Sequence, residues 1–324
     1  MTNEDRIRNL QSLGYTQTEA GFIVVAALHS GHFVRRQFCT FADATRGGAE
    51  TRFIEKLTAN RHAETMSYRF NRLVYRLASR RLYEALGEGD NRNRRACQPY
   101  TVRHKLLVLD FVLSRPNCRF LATLEERLAY FHERGIQTES LPVRIYRSKD
   151  DRQQTPVYLF DRSPVFVDPS LSPPVVSFAF INDGDFAYRD LRSFLNTHRA
   201  LFAALAQFKL VFAAPDRSLF GKAAKLFGKF LWTEGGSTTE LLSFFRERQA
   251  FERRETQGWD KTRIDRFRDS RDHFSGSRYE RLYSRWRVEG DAAITGKTTT
   301  LNGSLEIVLL PDKYDLFGGQ SDAA

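Results

Sequence analysis

Residues 47–60 read Gly47-Gly48-Ala49-Glu50-Thr51-Arg52-Phe53-Ile54-Glu55-Lys56-Leu57-Thr58-Ala59-Asn60, and they decide how the first part of the chain folds. Two glycines open the stretch, after which Phe53, Ile54 and Leu57 form one apolar stripe at helical spacing. The opposite face carries Thr51, Arg52, Lys56 and Asn60. A helix built this way docks by its stripe and holds hydrogen-bond donors outward, the form needed to reach phosphates and base edges in a major groove. Upstream, Thr16 and Glu19 have capping-box spacing, Phe22, Val25 and Ala26 continue a helix, and Gly31 suits its stop. Val34–Phe41 fits a second short helix. Downstream, Ala63–Phe70 and Leu73–Leu77 read as strands flanking Asn71-Arg72, with Arg69 and Arg72 at the tip.

Three helices followed by a basic hairpin are the order of a winged helix. Val74-Tyr75-Arg76-Leu77-Ala78-Ser79-Arg80-Arg81-Leu82-Tyr83 resembles the second wing strand running into a helix, as in the multiple-antibiotic-resistance type of bacterial winged helix. The preceding Gly21–Phe38 stretch, with Val25-Ala26-Ala27-Leu28-His29-Ser30-Gly31-His32-Phe33, resembles the replication-relaxation proteins of plasmids and mobile elements. That resemblance spans about residues 8–90 and rests on order and pattern. It implies a winged helix followed by a C-terminal domain of restriction-endonuclease-like topology, in a protein that acts on DNA.

Charge agrees with a polyanionic partner. The 324 residues carry a formal net charge of +11. Between Arg61 and Arg103, the arginines 61, 69, 72, 76, 80, 81, 92, 94, 95 and 103 meet only Glu64, Glu84, Glu88 and Asp90. Arginine suits bidentate recognition of phosphate and guanine. The residues expected to touch double-stranded DNA are therefore Thr51, Arg52, Lys56 and Asn60 on the helix, Arg61, Arg69, Arg72, Arg76 and Arg80 around the hairpin, and Arg92, Arg94 and Arg95. The last three stand in the glycine- and asparagine-rich stretch Gly87–Arg95, which reads equally as a solvated linker or a phosphate-tracking loop.

The expected fold class is α+β in three parts. Residues 1–90 form the winged helix-turn-helix. Residues 91–138 form a helical connector, with helices over Val102–Leu113 and Leu121–Arg134 that serve as a homodimer interface or as a joint between domains. Residues 139–324 form an α/β domain. Its strands fall at 143–146, 157–160, 165–167, 175–181 and 209–214, with a helix at Tyr188–Ala206. The segment 239–287 mixes both charges densely, as on a solvated helical face with pairing within each helix. Arg278, Arg281, Arg285, Trp286 and Arg287 form a basic, aromatic cluster that is a secondary candidate for nucleic-acid contact. A last strand fits Leu305–Leu310.

No catalytic constellation stands out. A nuclease of the restriction type needs a carboxylate such as Asp161 or Asp168 and then Glu-X-Lys on the next strand. The strand there reads Val176-Ser177-Phe178-Ala179-Phe180, so a nuclease-like site is degenerate, and Asp183 and Asp185 read as turn residues. Cys39, Cys97 and Cys118 have no metal spacing, the histidines form no HxH or HExxH, and no P-loop or Gly-x-Ser-x-Gly occurs. No metal, cofactor or catalytic residue is expected. His29 and His32 read as ordinary capping or half-buried residues. The opening residues lack a signal peptide, and the longest apolar run, Gly21–Leu28, is too short to cross a bilayer, so a cytoplasmic protein without a membrane partner is expected. Three functions compete: a sequence-specific regulator or a replication and mobilisation accessory factor, a metal-dependent nuclease or relaxation factor using the C-terminal domain, and a protein–protein interaction module.

Overall fold

The computed structural model describes residues 1–44, 47–68, 72–147, 154–159, 163–184, 187–235, 238–274, 277–295, 301–311 and 314. The fold is α+β, in two compact units: Met1–Ala224 with the return of the chain from Ser304, and Lys225–Gly303. The boundaries expected near residues 90 and 138 do not mark the edges of these units.

The chain opens with α1 (Asn3–Gln11), whose first turn is closed by a reciprocal cap between Thr2 and Asp5. α2 (Gln17–His29) starts at the Thr16–Glu19 capping box: the Glu19 amide donates to Thr16 Oγ1 at 3.3 Å, and the Thr16 amide to Glu19 Oε2 at 2.8 Å. Then follow β1 (His32–Phe33), α3 (Arg35–Ala42), α4 (Gly48–Ala59), β2 (Ala63–Tyr68), β3 (Arg72–Leu77) and α5 (Arg80–Ala85). The three strands pair antiparallel in the order β1-β3-β2, with Phe33 and Thr65 flanking Tyr75. Phe22 is the hub of the core. Its ring centroid lies 5.2, 5.3 and 5.8 Å from those of Phe33, Phe38 and Phe53, so one aromatic cluster fastens α2, β1, α3 and α4 together. Neither α1 nor β1 was expected from the pattern of apolar residues.

α6 (Pro99–Leu113), expected as a connector or dimer surface, is a central element. Val102, Leu106, Leu107, Val108, Leu109, Phe111 and Val112 are all buried. Leu109 joins the N-terminal core, while the others form a second core with Phe166, Ala179, Ile181, Val211 and Ala213. The apolar residues of α6 are thus largely covered within the chain.

The second core is floored by a five-stranded sheet. Its strands are β4 (Arg119–Phe120), which precedes α7 (Leu124–His132) and the hairpin of β5 (Val143–Arg147) and β6 (Gln154–Tyr158), then β7 (Val165–Val167) and β8 (Val176–Ile181). α8 (Ala187–Thr197) and α9 (Arg199–Ala204) lead to β9 (Phe208–Ala214). The single helix expected over 188–206 is broken at His198, whose backbone leaves the helical region to start α9. α10 (Phe220–Gly235) carries the chain into the second unit, and β10 (Gly303–Leu309) returns to complete the order β10-β9-β8-β7-β4. β8 and β9 are parallel, joined by the α8–α9 crossover, and β7 pairs antiparallel with both β8 and β4. Side chains alternate across β8: Ala179 and Ile181 face the α6 core, whereas Phe178 meets Phe131 of α7 and Phe202 of α9.

The second unit contains α11 (Thr238–Glu252), α12 (Lys261–His273), α13 (Ser277–Glu289) and α14 (Ala292–Thr295) around Phe244, Phe245, Phe267, Phe274, Tyr283 and Trp286. Its charges were expected to pair within single helices, and Arg285–Glu289 does so. Several pairs instead join one helix to another: buried Glu247 accepts from Arg263 and Arg266 at 3.3 and 3.0 Å, and Arg248 forms two bonds to Glu280 at 2.9 and 2.7 Å.

Candidate nucleic-acid interface

The outer face of α4 is set by three side chains behind it that sequence reading overlooked. The Glu50 carboxylate accepts from the Gly47 amide at 2.9 Å, which tethers the start of the helix, and it pairs with Arg35 at 3.3 Å. Arg35 Nε also donates to the Tyr75 hydroxyl at 2.9 Å. Glu50 is buried, so this chain of charge-assisted bonds fixes α4 against α3 and β3. The usable signal was a glutamate three residues after a helix-opening glycine.

On that face, Arg52 is exposed and has no ion-pair partner among the described residues. Thr51 is half-buried and its hydroxyl turns back to the Gly47 carbonyl at 3.3 Å. Asn60 is exposed at the C-cap, followed by exposed Arg61 at φ +55°, a left-handed conformation that favours glycine. Lys56 departs from the expectation of a base contact. Its Nζ donates to Glu19 Oε2 at 2.6 Å and the Gly14 carbonyl at 3.2 Å, and it lies over the Tyr15 ring. This lysine braces α4 against the entry to α2. Beneath the end of α4, the Tyr15 hydroxyl is 2.7 Å from His62 Nδ1; burial, then the charge of Arg81, pull the His62 pKa down, while burial pushes Tyr15 up to about 12. Neither adds charge at neutral pH.

Strand parity divides the hairpin. Tyr75 and Leu77 point to the N-terminal core, and exposed Leu73, Thr65 and Ser67 share that side. Arg72 and Arg76 point the other way, beside Val74, Met66 and Tyr68, which pack on the second core. Arg72 is exposed. Arg76 is held by Glu64 and by donation to the Arg94 carbonyl at 3.0 Å, so the hairpin does not present it freely. Arg69 lies outside the described residues. Arg80 is exposed and pairs with Glu84 one turn on at 2.9 Å, a contact worth little in water.

The Gly87–Arg95 stretch is anchored, not a loose linker. Asn93 Nδ2 donates to the carbonyls of Ala27 and Leu28 at 3.1 and 3.0 Å, closing the end of α2. Gly31, at φ +74°, permits this approach, since a Cβ there would lie 2.2 Å from the Asn93 carbonyl oxygen. Arg92 and Arg95 are exposed on this loop and Arg94 is half-buried. The three arginines are therefore held by the loop rather than strung along a tether.

Of the carboxylates considered for nuclease chemistry, Asp168 accepts from the Ser170 amide and hydroxyl at 3.0 and 2.6 Å, closing a turn that holds its pKa low. Asp183 pairs with Arg103 at 3.6 Å. Asp161 and Asp185 lie outside the described residues. Among the described residues no three His, Cys, Asp or Glu side chains gather as a metal site. Cys97 Sγ is 3.7 Å from His32 Nε2, yet burial lowers His32 to about 3 and raises Cys97, so the pair stays neutral and the thiol is not activated. In the second unit, Trp286 is buried and donates to Asp291 at 2.9 Å, and Arg285 is paired, so this indole is not a stacking platform; the side chains of Arg278 and Arg281 lie outside the description.

Compared with protein-family models, with curated proteins and with solved structures, the chain matches none. No helix among the described residues is long and apolar enough to cross a membrane.

Proposed function

We propose that the segment from α1 to β3 is a winged helix that binds double-stranded DNA, with α4 as its recognition helix. The observation that carries this reading is the order of α2, β1, α3, α4 and the β2–β3 hairpin, together with exposed Arg52 on the outer face of α4 and exposed Arg61 just past its end, neither with an ion-pair partner among the described residues. Arg52 enters the major groove, Asn60 and Arg61 reach the flanking backbone, and Arg72 extends the contact along the hairpin. The protein acts as a sequence-specific regulator or as an accessory factor in the replication or mobilisation of a genetic element.

The test is a salt-dependent titration of fragments from around the protein's own coding region against random duplex, with Arg52→Ala and Arg61→Gly as variants. Each phosphate contact contributes about −0.9 to the slope of log K against log salt. Arg61→Gly is the discriminating variant. Glycine relieves the positive φ, so the protein becomes more stable by about 1 kcal/mol while DNA affinity falls. Arg52→Ala weakens specific binding more than random binding. Absence of any DNA retention at moderate salt, or unaltered binding by both variants, would overturn the proposal.

A further inference from the structure

The first unit contains a cleft of about 1490 Å³ between the end of α2, the 87–97 loop, the first half of α6 and α7. Leu28, Val108 and Leu128 supply apolar wall. Three half-buried basic groups line it. His29 and His104 have no hydrogen-bond partner for their ring nitrogens among the described residues; His29 makes only an edge contact with Phe120. Half-buried Lys105 has no ion pair among them either. The acids nearby are otherwise placed: Glu88 accepts from Asn91 at 3.1 Å, Asp183 is held by Arg103, and Asp90 and Glu125 are exposed. A half-buried ammonium with no carboxylate paired to it among the described residues is a ready partner for an incoming anion.

We propose that this cleft binds a small organic anion, whose charged group rests on Lys105 beside Arg92 and whose apolar body lies against Leu28, Val108 and Leu128. The neutral imidazoles of His29 and His104 hydrogen-bond its remaining polar atoms. The site stands independently of the DNA reading. Lys105 faces Cys97 and Arg92 from the loop, Arg76 from β3 and His32 from β1, with His104 next to it on α6. Burial, reinforced by Arg92 and Arg76, lowers its pKa to about 8. A bound anion restores the charged form, so binding must draw in a proton. Uptake is therefore larger at pH 8 than at pH 6.5, where Lys105 holds more of its charge before the anion arrives.

The experiment is calorimetric titration of 8-anilinonaphthalene-1-sulfonate, an anion with an aromatic body, in two buffers of different ionisation enthalpy at pH 8 and 6.5. The uncharged N-phenyl-1-naphthylamine is the comparator. The wild type binds one anion with the stated proton uptake. Lys105→Met loses affinity by roughly tenfold or more together with the uptake, and Lys105→Arg keeps affinity but loses the uptake. No binding by the wild type, equal affinity for the uncharged comparator, or unchanged affinity and uptake in Lys105→Met would overturn the proposal.

Discussion

Gly31→Ala tests the junction between α2 and the loop that closes it. An L-residue at φ +74° is strained by about 1–2 kcal/mol. The new Cβ would also stand 2.2 Å from the Asn93 carbonyl oxygen and 2.8 Å from its carbon, both backbone atoms that cannot rotate aside. The loop must withdraw by roughly 1 Å to reach an ordinary contact. In doing so it loses the two bonds from Asn93 to Ala27 and Leu28, each worth about 0.5–1.5 kcal/mol net. The sum is about 2–5 kcal/mol, or a Tm roughly 5–15 °C lower for a unit of this size. Asn93→Ala removes the two bonds alone and should cost about 1–3 kcal/mol. Urea denaturation of both variants, with hydrogen exchange at the end of α2, separates the contributions. If Gly31→Ala stays within about 0.5 kcal/mol of wild type, the close approach and the anchored loop built on it are both refuted.

Three further outcomes follow from the packing. Asp110 is buried and accepts from Arg36, Gln37 and Tyr314 at 2.9, 3.0 and 2.6 Å; Asp110→Asn faces these donors with an amide and should lower stability by about 2–4 kcal/mol in urea titration, the part-exposed Arg36 softening the loss. Lys56→Met should lower stability by about 1–2 kcal/mol through Glu19 and leave the salt slope of DNA binding unchanged; a slope flatter by about 0.9 would place this lysine on a phosphate after all. Burial pulls His198 down to about 4, so the unfolded chain takes up its proton first as pH falls. The stability this histidine contributes is full above about 6.5 and is lost towards pH 4, at about 1.4 kcal/mol per unit; His198→Phe should flatten the acid limb by that slope, measured as ΔG against pH at fixed ionic strength.

α4 was legible because an apolar stripe and a polar face are local facts about one helix. The fate of Lys56 was not, because its partner Glu19 lies on another helix and pairing across that separation depends on the fold. The same limit applied to Arg248, whose acidic partner Glu280 belongs to a later helix. α1 escaped notice because Ile7 and Leu10 are its only large apolar residues, although Thr2 and Asp5 carried a cap signal. β1 and β4 have two residues each and show no alternation. For α6 the periodicity was plain, but periodicity says which face is apolar and not what covers it. The boundary between the units was hidden within α10, where neither proline nor a glycine cluster interrupts the helix.

The return of β10 has a consequence for synthesis. Until that strand arrives, β9 is an open edge, with unpaired amides and carbonyls along an apolar stretch that includes Leu210, Val211 and Phe212. Roughly 90 residues separate the two strands, which a ribosome adds in roughly 5–20 s. The nascent chain therefore exposes an adhesive edge for as long as the second unit takes to translate. Codon choice across residues 215–302 sets that interval, and with it the opportunity for a chaperone, or for a neighbouring nascent chain, to occupy the place of β10.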